Sequence, residues 1–328
     1  MKLNKDIIGM LHVPINTILA APQEWRSQLK LPNVKGQRDR QVIAEFAGWG
    51  PSSPFEEASQ TDVAISKILG LSFYRYLHDR MLEEAEIYAK NGISTFLMEN
   101  IGAPYFLNPT SMQSVIFAVM LSLSRDLRQN YPNTQIGLQI LSYSDPLAMS
   151  VACYAGLDFI RSEGSLFAGE RPEGRNENAG TLAKLYAQRD EQAALMKAKK
   201  VPRVYVDLQK KHTVFSEGLR SLDVWLENVI FQKLEGVVIT GTGTGVPVVE
   251  SDLAKARAVI DLCLKKPYFP RKLELPLIAG SGVDEKNCGL YRKYVDAVIA
   301  GSTFKQHGYW ECRVDPKRVS RFMEAWNK

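Results

Sequence analysis

Short apolar runs recur along the chain, each ending in small or polar residues and each followed by a stretch in which apolar residues return every three or four positions. The first run, Asp6 to Val13, reads as a strand; the second, Ile93 to Met98, is tipped by Glu99 and Asn100. Gln135 to Leu141, Leu157 to Ile160, Val201 to Leu208, Gly236 to Thr240, Leu275 to Ala279 and Val295 to Ala300 bring the strands to eight. Between them lie helix-spaced stretches: Phe73 to Asn91, Ser111 to Gln129, Pro146 to Ala155, Ala179 to Lys199, Ser221 to Lys233, Asp252 to Leu264, Asp284 to Lys293 and Asp315 to Trp326. Strands alternating with helices predict parallel pairing through right-handed crossovers. Eight such units predict a closed (β/α)8 TIM barrel. A doubly wound open sheet is the alternative, but no GxGxxG turn follows the first strand.

One stretch breaks this rhythm. Pro14 to Ser72 carries Pro22, Trp25, a basic run from Lys35 to Arg40 and Gly48-Trp49-Gly50-Pro51, with a short helix expected at Gln41 to Ala47. A connection this long is uncommon in a compact domain unless it serves a function or is disordered. The expected organisation is a single barrel domain over 1–328, with an insertion at about 14–72 on the catalytic face. A lid or a homo-oligomer arm is one reading of that insertion and a surface decoration is the other.

Composition narrows the class. Hydrophobic residues at 45% and charged residues at 23% suit a globular protein with a large core. The net charge of +5 is spread along the whole chain, which is mild basicity and not the footprint of a nucleic-acid binder. Cys153, Cys263, Cys288 and Cys312 lie far apart without CxxC spacing, as expected of reduced residues. No uninterrupted apolar stretch approaches the roughly 18 residues of a membrane span. The first strand starts too early for a signal peptide to precede it, so a cytoplasmic location is expected.

Candidate chemistry collects at strand ends. His12, Glu99, Asn100, Arg161, Glu163, Asp207 and Lys211 all stand at or just beyond apolar strand residues, where a barrel places its active site. Asp207, Gln209 and Lys211 share one parity and would face one side if the strand runs that far. Together these groups supply acid, base and electrophile. The plainer readings are an Arg161–Glu163 ion pair and solvated charges in the run from Lys210 to His212. A second set is small: Gly241-Thr242-Gly243, Gly280-Ser281-Gly282 and Gly301-Ser302 end three successive strands. Backbone donors with little side-chain bulk at such ends form a phosphate cradle, whereas tight turns alone would also select glycine. The loop from Gly241 to Gly245 lacks the GK[ST] ending of a P-loop, and no HExxH, GxSxG or EF-hand pattern occurs. The sequence requires no cofactor; a divalent ion on Glu99, Glu163 and Asp207 stays open without ligand spacing to support it.

The stretches IIGMLHV (Ile7 to Val13), ENIGAPYF (Glu99 to Phe106), AGLDFIRSEG (Ala155 to Gly164), VDLQKKH (Val206 to His212), ITGTGTG (Ile239 to Gly245), AGSGVDEKN (Ala279 to Asn287) and VIAGSTFKQHG (Val298 to Gly308) resemble the BtpA family in order and spacing. That resemblance implies a TIM-type barrel grouped with phosphate-binding barrels, in a family named for a role in photosystem I biogenesis. The chain departs from many bacterial members, which carry Arg-Asn-Asp where Ser142-Tyr143-Ser144 stand here and Asp-Gln-Gly near Glu177 to Gly180. The photosystem role is therefore not carried over. The expected function is an enzyme of lyase, isomerase or hydrolase type that binds a small phosphorylated metabolite, sugar phosphate or nucleotide-like. The alternative is a non-catalytic assembly factor that uses the barrel as a scaffold.

Overall fold

Every barrel strand of the computed structural model is bonded to two neighbours, so that sheet has no edge. The structure describes residues 5–15, 60–101, 109–141, 144–167, 169–171, 174–175, 182–209, 213–219, 221–232, 234–241, 243, 246–265, 274–310 and 312–328. The barrel strands are β1 (Asp6–Val13), β2 (Thr95–Asn100), β3 (Gln135–Gln139), β4 (Phe159–Ser162), β5 (Arg203–Leu208), β6 (Val237–Ile239), β7 (Leu277–Ala279) and β8 (Ala297–Ala300). They pair in parallel in chain order, and β8 returns to β1 with Ile8 opposite Ile299. The helices are α1 (Gln60–Lys90), α2 (Pro109–Asn130), α3 (Asp145–Ala155), α4 (Leu182–Leu195), α5 (Leu222–Phe231), α6 (Glu250–Leu264), α7 (Cys288–Tyr294) and α8 (Pro316–Trp326). The chain is thus a (β/α)8 barrel, with a two-stranded antiparallel ribbon, Glu170–Arg171 against Gly174–Arg175, after β4.

One expectation shifts in detail. α1 begins at Gln60, so the last part of the stretch read as an insertion is helix. Residues 16–59 of that insertion, including the helix expected at Gln41 to Ala47, lie outside the described residues.

Alternation along the strands sorts the apolar residues into two cores. One lines the barrel interior: Ile8, Met10, Leu97, Phe159, Tyr205, Val238, Ile278, Ala297 and Ile299. Phe159 and Tyr205 meet there with ring centroids 5.0 Å apart. Gly137 makes the space for them, because a methyl group on it would fall 2.1 Å from the Phe159 ring. Burying a ring of this size contributes about 2 kcal/mol or more. The other core lies between the sheet and the helices, and α8 shows how sequence builds it. Asp315 caps the helix by accepting from Lys317 N, Pro316 opens it, and Val319, Phe322 and Trp326 at helical spacing form the buried face. Trp326 Nε1 donates to Lys5 O at 2.9 Å, fixing the helix beneath the start of β1.

A buried charge cluster joins the two ends of this wall. Lys305 is fully buried and donates to Glu84 of α1 at 2.6 Å, while Arg80 lies 3.5 Å from the same carboxylate. Burial holds the Lys305 ammonium down to about 8, with Glu84 offsetting part of that cost. Lys305 therefore faces α1 and not the barrel mouth. Lys305→Met, which leaves Glu84 with Arg80, is expected to lower the unfolding free energy by about 3 kcal/mol in urea titrations. The double variant Lys305→Met/Glu84→Leu should recover at least half of that loss.

Candidate active site

The interior core stops before the strand ends, and the next residue of the same parity is polar or glycine. On β1 the inward residues Ile8 and Met10 are followed by His12; on β2 Leu97 is followed by Glu99. Register places Glu99 beside both His12 and Gln139. Arg161 follows Phe159 on β4, and Asp207 follows Tyr205 on β5. Thr240, Gly280 and Gly301 take the corresponding places beyond β6, β7 and β8. The result is a polar layer over an apolar floor.

Arg161 and Asp207 are the fixed centre of that layer. The guanidinium donates from Nε to Oδ1 at 2.8 Å and from Nη2 to Oδ2 at 3.1 Å, with both side chains almost entirely buried. Burial alone would lower the Arg161 pKa, but the Asp207 charge reverses this and raises it. In place of the Arg161–Glu163 ion pair of the plainer reading stands a bidentate pair across adjacent strands. Two of the five guanidinium N–H groups are used, and the Arg161 side chain makes no other hydrogen bond among the described residues. The group also reaches towards β7, since a methyl group on Gly280 would lie 3.0 Å from Arg161 Nη2.

His12 and Glu99 form a second pair, with Nε2 and Oε2 3.6 Å apart. Gly301 stands against this histidine: a methyl group there would lie 3.2 Å from His12 Cε1. Glu163 belongs to a third group. It accepts from Gln139 Nε2 at 2.8 Å, and its backbone N–H donates to Asp145 Oδ1 at 3.1 Å. Asp145, in the first turn of α3, also accepts from Ser162 Oγ at 2.9 Å and Gly164 N at 3.2 Å. Burial, then repulsion by Glu163, pushes the Asp145 carboxyl up to about 6 despite these bonds.

Other expected residues take different places. Asn100 has the opposite parity and clamps β2 to the chain beyond β3, donating to Leu141 O at 3.0 Å and accepting from Leu141 N at 2.6 Å. Gln209 turns into the left-handed region at φ 48°, so the shared parity of Asp207, Gln209 and Lys211 ends at Leu208. Lys211 and Thr242 lie outside the described residues. In the expected cradle, Gly241 N donates to Ser281 Oγ at 3.2 Å. Gly241 and Gly282 also make room for another loop, because methyl groups on them would fall 2.2 and 2.4 Å from Val246 O. Gly243 borders the same loop through Val246. Gly280 N is bonded to Ile239 O at 2.8 Å. Gly301 and Ser302 open a short 3-10 turn at the end of β8. Among the described residues no three His, Cys, Asp or Glu side chains are arranged to hold a metal ion, so Glu99, Glu163 and Asp207 do not converge as one.

Comparison with known proteins places this barrel. The BtpA family profile matches residues 74–328, from α1 to the end of α8. The chain belongs to the BtpA family. An uncharacterized mitochondrial protein of Caenorhabditis elegans is 29% identical over 255 residues, covering 76% of this chain and 83% of that protein. The photosystem I biogenesis protein BtpA of Synechocystis is 27% identical over 250 residues, covering 75% and 78% respectively. A 7,8-dihydropteroate synthase from Vibrio fischeri aligns over 100% of this chain and 96% of its own, with 12% identity and a TM-score of 0.46. Among the described residues of this BtpA family member, no helix is long and apolar enough to cross a membrane.

Gln139, Asp145 and Thr240 were absent from the residues that strand-end reasoning selects. Gln139 and Thr240 were legible in principle, as polar residues that continue the inward parity of β3 and β6. Asp145 looks in sequence like an ordinary helix start, and only the fold brings it under Glu163.

Two outcomes follow from these charges. Arg161→Leu leaves Asp207 buried without its guanidinium and is expected to cost about 3 to 5 kcal/mol of stability in urea titrations. The Asp145 pKa is raised above its unfolded value of 3.8, so its favourable contribution is full below about pH 4 and is lost as pH rises through 6. That difference amounts to about 3 kcal/mol. Asp145→Asn should flatten the stability profile between pH 4 and 7, measured by denaturation at each pH.

Proposed function

We infer that this protein is an enzyme that binds a small phosphorylated molecule at the barrel mouth and moves a proton on it. The observation that carries this reading is the inward polar layer over a closed apolar floor, in which a bound molecule would meet charged and hydrogen-bonding groups from several strands. The anionic end lies on the β7–β8 side. Gly301 keeps side-chain bulk away there, Arg161 Nη2 lies near Gly280, whose side-chain space Val238 and Thr240 fill, and Ser302 supplies a small donor. This is a narrower anion site than three glycine-rich loops would make, since Gly241 and Gly282 are occupied in packing.

The proton-transfer groups begin beside that end, where His12 on β1 lies against Gly301, and continue through β2 to the end of β4. His12 with Glu99 forms an acid–base pair, and Glu163, oriented by Gln139 and by the Asp145 contact to its backbone, is a second carboxylate. Arg161, held rigid by Asp207, stabilises negative charge that develops on the substrate. Isomerisation, elimination and hydrolysis all use such a set.

Gly301 tests the anion site. Gly301→Leu directs a side chain toward His12, whose Cε1 lies 3.2 Å from the position of the new Cβ. Calorimetric titration with inorganic phosphate should show binding by the natural chain and at least a tenfold loss in the variant, with an unchanged circular dichroism spectrum. Equal phosphate binding by both would remove the anion site from β8.

A further inference from the structure

Gln139 carries an atom that the protein itself does not use. The residue is fully buried, and its Nε2 donates to Glu163 Oε1 at 2.8 Å, an interaction that fixes which end of the amide is which. The opposite arrangement would set the amide oxygen against a carboxylate oxygen. Oε1 is left buried, with no hydrogen-bond partner among the described residues. A buried acceptor in that state costs about 1 to 3 kcal/mol, a cost that a ligand donor relieves.

Its surroundings define the donor. Gln139 shares the inward parity of Gly137 and is in register with Glu99, so the amide belongs to the polar layer above the Phe159 ring. Carboxylates crowd this side: Glu99 stands beside it, Glu163 is bonded to it, and Asp145 lies beneath Glu163. Gln139 Oε1, Glu99 and Glu163 are all acceptors, and an ammonium group donates to three acceptors at once where a hydroxyl donates to one, so the site favours a nitrogen donor.

The geometry points to a ligand with two unlike ends, a phosphate towards Gly280 and Gly301 and an amino group donating to Gln139 Oε1 between Glu99 and Glu163. This rests on the proposed phosphate end for one of its two contacts, while the amino end stands on Gln139 alone. Gln139 is then the residue that selects amines over alcohols.

Three probes separate the ends: phosphoethanolamine, its hydroxyl counterpart 2-hydroxyethyl phosphate, and inorganic phosphate, each titrated calorimetrically into the full chain at pH 7.5. Phosphoethanolamine should bind about tenfold or more tightly than the hydroxyl ester, the scale of one hydrogen bond involving a charged group. In Gln139→Met that ratio should fall to about one. Where Gln139→Met does not fold, the natural chain decides by its own preference between the two esters. Equal binding of the two esters by the natural chain, or a preference that survives Gln139→Met, overturns the assignment while leaving the phosphate end standing. An amine preference without any binding of inorganic phosphate supports Gln139 and removes the phosphate end. No binding by any of the three overturns both.

Discussion

The bidentate pair between Arg161 and Asp207 is the interaction on which the mouth depends. It joins adjacent strands at the level where the apolar floor ends, and each partner would be prohibitively buried without the other. Because the guanidinium is held at two points, its remaining donors have fixed directions, one of them along the wall at Gly280. The pair therefore converts a structural necessity into a preset electrostatic feature, available before any ligand arrives. His12, Glu99, Gln139 and Glu163 are arranged around it on the strands to one side.

Much of the architecture can be read from the chain because strand period and helix period are physically distinct signals. β1 has the bounds its apolar run predicts, and the eight strands occur where the apolar runs stand. Boundaries move by a few residues where glycine or a turn, not hydrophobicity, decides the end; β3, for example, ends at Gln139 and not at Leu141. Five of the seven expected catalytic residues, His12, Glu99, Arg161, Glu163 and Asp207, collect at one mouth. Asn100 fails by one step of parity, which no composition argument detects.

The glycine-rich loops show where such reading runs out. Glycine is selected both by a ligand that approaches the backbone and by another piece of the same chain that does so. At Gly241 and Gly282 the second cause operates, with Val246 and Pro247 filling the space. Gly137 and Gly236 make room for the Phe159 and Tyr205 rings in the same way. Sequence alone does not say which neighbour arrives, because that neighbour lies on another strand or loop.

Asp145 has a consequence of another kind. Its proton is retained partly because Glu163 is negative, so the two carboxylates share a single electrostatic account across α3 and the end of β4. Any molecule that brings positive charge to Glu163 lowers the affinity of Asp145 for its proton, and by reciprocity deprotonation of Asp145 strengthens the hold on that molecule. Near pH 6 binding would then expel hydrogen ions, and the heat of association would depend on the ionisation enthalpy of the buffer that takes them up.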